Sequence, residues 1–161
     1  MKSSVGMHAV GTKPDYASGI ARAMKDIFAN MFNEQALLIP DAEVTGKTRV
    51  SSMVGFAGRI SGFLCLHLDR RVACNLASGL LGMELAELDD TVRDAVGEIV
   101  NMLAGGLKNH LSHNEEAFKI SIPSVIVGEG ISTYAPADAE NMMFGVDAGK
   151  YRFKVQLVVE Q

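Results

Sequence analysis

Residues 88–110 read LDDTVRDAVGEIVNMLAGGLKNH, which is the residue pattern of a long amphipathic helix. Apolar residues recur at intervals of three and four, so they share one stripe of a helix that turns about 100° per residue. This stripe consists of Leu88, Val92, Val96, Ile99, Leu103 and Leu107. The stretch therefore predicts a helix of about six turns whose apolar stripe packs on a core.

The opposite side of this helix carries a polar strip formed by Asp94, Glu98 and Asn101. Spacings of four and three stack the three side chains over two turns, a rise of about 10 Å. Gly97 lies beside the strip and Gly105 lies on it, although glycine inside a helix costs roughly 0.5–1 kcal/mol relative to alanine. Either a partner protein approaches the helix at these glycines or a loop of the same chain packs there, and the sequence leaves both explanations open.

The segments around this helix alternate between helical and strand-like patterns. Residues 15–33 repeat apolar residues at three and four, and residues 69–82 begin and end with the capping residues of a shorter helix. Strand-like composition occupies residues 44–68, which contain a glycine-rich hairpin, and residues 119–127, 141–146 and 151–159. The sequence predicts an α/β (α+β) fold, a largely antiparallel sheet with two long helices and a shorter one packed on one side.

The clearest strand pattern is that of residues 151–159, where apolar and polar residues alternate. The apolar set is Tyr151, Phe153, Val155, Leu157 and Val159, and the polar set is Arg152, Lys154, Gln156 and Glu160. We expect the apolar set to face the core and the polar set to face water.

Composition and charge exclude several classes of protein. The chain has 161 residues, 48% of them hydrophobic and 21% charged, so we expect one domain at residues 15–161 after a short arm or strand at residues 1–14. The net charge is -4 and the 15 Lys and Arg residues are scattered, which argues against a nucleic-acid partner. No apolar run reaches the roughly 18 residues of a membrane span, so we expect a soluble, cytoplasmic protein with no membrane partner.

Cysteines and histidines provide the other candidate sites. Cys65 and Cys74 lack the spacing of a zinc or redox motif, so we expect both to be reduced core residues. A metal cluster near the end of the long helix would use His110, His113, Glu115 and Glu116. Because the helix dipole favours histidines at a C-terminus without any ligand, and no other Cys or His stands nearby, we expect no bound metal.

The polar strip is the feature that identifies a family. Asp94, Glu98 and Asn101, with Pro123 standing 22 positions after the asparagine, resemble the active-site pattern of the CheC and CheX chemotaxis phosphatases. The glycine-rich segment around residues 53–62 and the helix at residues 73–82 are also similar to CheX proteins, so the resemblance covers residues 15–160. It implies a CheC-like fold.

One feature favours the CheX branch over the CheC branch of this family. CheC-type members typically carry two copies of Glu-x2-Asn, one on each of two pseudo-symmetric helices. Here the first helix has no such pair, because Ile27 stands three residues before Asn30 and Asn30 stands three before Asn33. Only the long helix carries the motif.

The resemblance implies a phosphatase that hydrolyses the aspartyl phosphate of a CheY-like response regulator. Asn101 would orient the attacking water, since a carboxamide hydrogen-bonds but has no useful basicity, and Glu98 would pair with a lysine of the regulator. Asp94 would tune the helix surface or contact the partner, and Pro123 would fix the strand or loop beside the helix. No cofactor is expected in this chain, because the Mg²⁺ belongs to the regulator.

Two further expectations come with the resemblance. It implies a homodimer, and the alternating strand at residues 151–159 could provide the edge that pairs sheets between subunits. The alternative function is a non-catalytic adaptor of the same fold, which binds a receiver domain or a motor component without shortening the lifetime of a phosphate.

Overall fold

The computed structural model describes residues 14–111 and 118–160. Within these ranges the chain forms three α-helices and one seven-stranded antiparallel sheet, which confirms the predicted fold class. The helices are α1 (Tyr16–Ile27), α2 (Arg70–Leu81) and α3 (Asp90–Leu111). The strands are β1 (Leu37–Ile39), β2 (Val50–Gly58), β3 (Ser61–Leu68), β4 (Phe118–Ile120), β5 (Ser124–Val127), β6 (Glu140–Ala148) and β7 (Tyr151–Glu160).

The helix ends follow from capping residues that the sequence shows. Asp15 accepts a hydrogen bond from the Ser18 amide (3.0 Å) at the start of α1, and Asp69 accepts one from the Val72 amide (2.7 Å) at the start of α2. Gly82 ends α2 with a φ of 67°, the left-handed conformation that glycine adopts at little cost. After Ile27 the first predicted helix continues as a π-helical turn, Phe28–Phe32.

The strand order in the sheet is β1-β6-β7-β3-β2, and both β4 and β5 pair with the free side of β2. β7 pairs with β6 on one side and with β3 on the other. The expectation that the last strand offers an edge to a partner subunit is therefore wrong, because both of its hydrogen-bonding sides are occupied. Among the described strands, β1 and the β4–β5 pair lie at the edges.

The three helices share one hydrophobic core with the inward face of the sheet. In α3, the predicted stripe from Val92 to Leu107 is fully buried, and Leu88 lies just before the helix and is partly buried. The predicted apolar face of β7, Tyr151 to Val159, lies in the same core. This packing fixes which side of α3 remains outside.

Gln156 on the outward face of β7 does not face water, contrary to expectation, and is only 2% exposed. Its side-chain oxygen accepts a hydrogen bond from the Thr133 hydroxyl (2.6 Å), and its side-chain nitrogen donates to Asn141 (3.0 Å). Thr133 belongs to the long connection between β5 and β6, which therefore crosses the outer face of the sheet. Because each polar group has a partner, burying this amide costs little.

The amino-terminal arm and the absence of a membrane span are the remaining expectations about the fold. The amino-terminal arm falls on residues 1–13, outside the described ranges, except for Pro14. Among residues 14–111 and 118–160, no helix is both long and apolar enough to span a bilayer.

Candidate functional site

The polar strip predicted on the long helix lies on the outside of α3. Asp94 and Glu98 are exposed, and Asn101 is half-buried. Within the described part of the chain, none of the three side chains takes part in a hydrogen bond or an ion pair. Two carboxylates and one carboxamide thus stand along about two turns of helix with their polar atoms available to another molecule.

Pro123 lies against this strip through Gly97. An ideal Cβ built on Gly97 would be 3.5 Å from Cγ of Pro123 and 3.5 Å from Cγ2 of Val125. Gly97 precedes Asn101 by one helical turn, so the proline packs beside the motif residues of the strip. The fold therefore brings Pro123 next to α3, although residues 112–122 separate the two in the sequence.

Gly97 and Gly105, the two glycines of α3 at the strip, have different environments. Gly97 is buried beneath Pro123 and Val125, so a neighbouring segment of the same chain packs there. Around Gly105, by contrast, no described atom outside the backbone of α3 itself lies within 4 Å of where a Cβ would be. Among residues 14–111 and 118–160, the strip is thus covered on one flank at Gly97 and uncovered at Gly105.

A β-bulge holds the proline in place. The predicted strand at residues 119–127 is divided into β4 and β5. Ile120 pairs with Phe56 and Ser124 pairs with Met53. Three residues, 121–123, therefore lie opposite only two residues of β2, 54 and 55. The extra residue reverses the alternation of side chains, so that Val125 rather than Ser124 faces α3. A proline, which cannot donate to a ladder, is suited to this position.

Ser121 fastens the bulge to β2 by two hydrogen bonds. The Ser121 amide donates to the Gly55 carbonyl (2.8 Å), and the Gly55 amide donates to the Ser121 hydroxyl (2.9 Å). The next residue, Ile122, extends into solvent with 85% of its surface exposed. Sequence reasoning missed Ile122, because an isoleucine in a β-branched run is ordinarily taken as part of a buried strand.

Ser52 ties α3 to the sheet directly beneath the strip. Its hydroxyl donates a hydrogen bond to the Val96 carbonyl (2.9 Å), and the residue is fully buried on the inward face of β2. Sequence reasoning also missed this residue. The signal was a serine at an inward position, between Val50 and Val54, where the alternation of the strand calls for an apolar side chain.

The two cysteines are free and buried, as expected. Burial raises the pKa of the Cys65 thiol to about 12, which outweighs the opposing hydrogen bond to Ser51. The pKa of Cys74 is also raised, chiefly by burial. Because the thiolate is the reactive form, these cysteines are poor nucleophiles at neutral pH.

The outer face of the sheet holds a histidine network that the chemistry of the strip does not use. His67 lies 3.4 Å from the Ser51 hydroxyl through Nδ1 and 2.9 Å from the Gln156 side-chain oxygen through Nε2. Hydrogen bonding to that oxygen requires a proton on Nε2. The network satisfies polar groups under the β5–β6 connection.

The candidate metal cluster near the end of α3 falls mostly outside the described residues. His113, Glu115 and Glu116 lie outside the described residues, and His110 alone belongs to the part that the structure describes. Over residues 14–111 and 118–160, no group of three or more His, Cys, Asp or Glu side chains is arranged to hold a metal ion.

Comparison with known proteins connects this fold and this strip to one family. The family model described as chemotaxis phosphatase CheX matches residues 50–147, which run from the start of β2 to β6 and include all of α3. A curated relative, the CheY-P phosphatase CheX of Thermotoga maritima, is 32% identical over 81 residues. That alignment covers 50% of this chain and 52% of the relative, so the chain spans about half the length of the curated relative that it matches.

Solved structures extend the likeness to nearly the whole chain. The chemotaxis protein CheX from Vibrio vulnificus superposes with a TM-score of 0.78 at 20% identity, over 91% of this chain and 97% of that chain. The CheX of the CheX–CheY–BeF3–Mg²⁺ complex from Borrelia burgdorferi superposes with a TM-score of 0.75 at 22% identity, over 92% and 100%. At these identities the structures demonstrate a shared fold.

The match to the family model therefore confirms the family assignment made from the strip and Pro123. The match to the family model covers more than half of the chain and includes the helix, the bulge and the proline described above. This chain belongs to the CheX family of chemotaxis phosphatases.

Proposed function

We propose that this chain hydrolyses the aspartyl phosphate of a CheY-like response regulator. The observation that carries the proposal is the strip on α3. There Glu98 and Asn101 lie together on the outside of the helix, without a hydrogen-bond or ion-pair partner among the described residues, and Pro123 packs beside them at Gly97. The name of the Thermotoga maritima relative and the CheY in the Borrelia burgdorferi complex support the choice of substrate.

In the proposed reaction, water attacks the phosphorus atom in line with the acyl phosphate bond. The bond between phosphorus and the aspartyl oxygen breaks, which leaves the aspartate carboxylate and inorganic phosphate. Asn101 orients this water with its carboxamide, which accepts and donates hydrogen bonds without taking the proton. The Mg²⁺ and the lysine that balance the charge of the phosphoryl oxygens belong to the regulator.

Glu98 acts in binding. Its exposed carboxylate has no partner among the described residues, so it is free to form a charge-assisted hydrogen bond with a lysine ammonium of the regulator. This ion pair places the helix over the phosphoryl group and so brings Asn101 within reach of the water. Asp94, one turn earlier, adds negative charge to the same surface.

The proposal is tested by the lifetime of the phosphate on CheY-like regulators from the same genome. We expect wild-type protein in catalytic amounts to shorten the lifetime on one regulator and Asn101→Ala to lower that stimulated rate by about a hundredfold or more. Glu98→Ala should weaken it about tenfold or more, because one charge-assisted hydrogen bond is lost. Retention of most of the activity in Asn101→Ala would refute the mechanism.

A matched control lies on a different helix. Asn30→Ala removes an exposed carboxamide from the π-helical turn Phe28–Phe32, outside α3 and its strip, and should leave the rate unchanged. If the wild-type protein binds a phosphorylated regulator without shortening its lifetime, the adaptor function is supported instead.

A further inference from the structure

Ile122 is an exposed apolar residue that directly precedes Pro123, the proline that packs on α3 at Gly97. It exposes 85% of its surface, and among the large apolar residues that the structure describes only Tyr134, at 91%, is more exposed. An isolated exposed apolar residue is common on protein surfaces. The position of Ile122 relative to the motif residues distinguishes it.

The β-bulge determines that position. Ser121 is fastened to Gly55 by two hydrogen bonds, and Pro123 packs on the face of α3 at Gly97. Ile122 is the residue between these two anchors, so its backbone is held from both sides while its side chain remains free. Bulges next to active sites commonly redirect a side chain in this way.

The result is a surface with two chemically different halves. One half consists of Asp94, Glu98 and Asn101, which carry negative charge and hydrogen-bonding groups. The other half is the apolar tip formed by Ile122, next to Pro123 on the same exposed segment. An apolar anchor next to oriented polar groups is the usual composition of a specific protein interface.

Gly105 leaves the C-terminal end of this surface flat. No atom of the described chain lies within 4 Å of its Cβ position, so a partner can approach the helix backbone there. The acidic strip complements a lysine, which is the charge expected next to an acyl phosphate in the partner of the proposed function. Because the apolar tip adjoins the acidic strip, we expect a single partner molecule to contact both.

We infer that Ile122 inserts into an apolar recess of the phosphorylated receiver domain that Glu98 and Asn101 engage, and that it sets the affinity for that receiver. This inference rests on the proposed function. Ile122 contacts the partner and none of the reacting atoms, so it acts in docking, while Asn101 acts in the chemical step.

The inference is tested by dephosphorylation kinetics at increasing concentrations of the phosphorylated receiver. Ile122→Ser should raise KM about tenfold to a hundredfold and leave kcat within about twofold, because the apolar contact is made equally before and during reaction. Ile122→Leu should recover most of the affinity. Tyr134→Ser is the matched control, since it removes an equally exposed apolar side chain from the connection on the outer face.

The outcomes separate the two proposals. If wild type is active, Asn101→Ala is inactive and Ile122→Ser has the wild-type KM, the docking role is wrong and the proposed function stands. If Ile122→Ser lowers kcat at an unchanged KM, the docking role is equally overturned. If wild-type protein accelerates dephosphorylation of no receiver, the basis of both proposals is removed.

Folding of the variants is checked by their thermal unfolding midpoints. Because Ile122 is almost fully in solvent, Ile122→Ser should unfold at the wild-type temperature. A raised KM at an unchanged unfolding temperature, together with recovery in Ile122→Leu, supports the inference.

Discussion

Asn101 and Glu98 differ in how firmly the chain holds them. Asn101 is half-buried, which leaves its side chain fewer accessible rotamers than a fully exposed one has. Glu98 is exposed, and ordering its longer side chain on binding costs up to about 1.5–2 kcal/mol of rotamer entropy. The restricted residue suits its proposed role of orienting water, and the freer residue suits its proposed role of pairing with a lysine of the regulator.

Ser52 gives a prediction at the same scale. Ser52→Ala should lower the free energy of unfolding by about 1 kcal/mol, because it removes the hydrogen bond to Val96 while helical bonding still satisfies that carbonyl. For a chain of this length, the thermal midpoint followed by circular dichroism should fall by about 2–4 °C. Ser124→Ala, in an exposed position on β5, is the control and should leave the midpoint unchanged. Equal midpoints for Ser52→Ala and wild type would contradict the anchoring role.

At the scale of the element, α3 is asymmetric because its two sides meet different neighbours. One side is packed against the sheet and α1, where a Cβ on Gly106 would lie only 2.7 Å from Cβ of Ala23. The other side is open at Gly105. Two adjacent glycines of one helix thus differ in their surroundings: a Cβ on Gly105 would meet no described atom outside the backbone of α3, and a Cβ on Gly106 would collide with α1.

These adjacent glycines provide a matched pair of variants. Gly105→Ala should raise the free energy of unfolding by about 0.5–1 kcal/mol, because alanine favours the helix and the new methyl group meets nothing. Gly106→Ala should lower it by about 1–3 kcal/mol, because α1 and α3 must move apart. Urea unfolding measures both. Shifts of the same sign in the two variants would show that the helix contact is misassigned.

At the scale of the whole molecule, the sheet determines where a second copy can add. Both neighbours of β7 are in place, so pairing by strand addition is restricted, among the described strands, to β1 and the β4–β5 edge. β1 is only three residues long, and its Leu37 is 66% exposed. An exposed apolar residue on an edge strand is a feature that monomers usually avoid.

The homodimer implied by the family stays a prediction, and the solution mass tests it. Sedimentation equilibrium at micromolar concentration should give twice the mass of the chain. Leu37→Lys should shift the equilibrium toward monomer if β1 is the paired edge, because a lysine on an edge opposes strand addition. Tyr134→Lys, an equally drastic change away from the edges, should not. A wild-type mass of one chain would refute the dimer.

Much of the candidate site could be predicted from the sequence because it lies on one helix. Asp94, Glu98 and Asn101 share a face through the geometry of the helix alone, and the buried stripe opposite them determines that this face is outside. The capping residues Asp69 and Gly82 likewise gave the limits of α2 through local hydrogen bonding and backbone conformation. Such features need only residues close in sequence.

Other features depend on which segments meet in space. The pairing of β4 and β5 with β2 places Pro123 on Gly97 and leaves Ile122 exposed. The path of the β5–β6 connection buries Gln156. The paired position of β7 is of the same kind, since a strand's alternation does not reveal how many neighbours it has.

The sequence by itself determined the helix, its polar strip, the family pattern and the fold class, because these depend on periodicity and on residue types at fixed spacing. Only the tertiary structure decided which glycine is covered, how the bulge places Ile122 beside the strip, and which strands remain edges. The physical reason is that these properties are set by contacts between residues distant in sequence, which hydrophobic burial and ladder hydrogen bonds establish together.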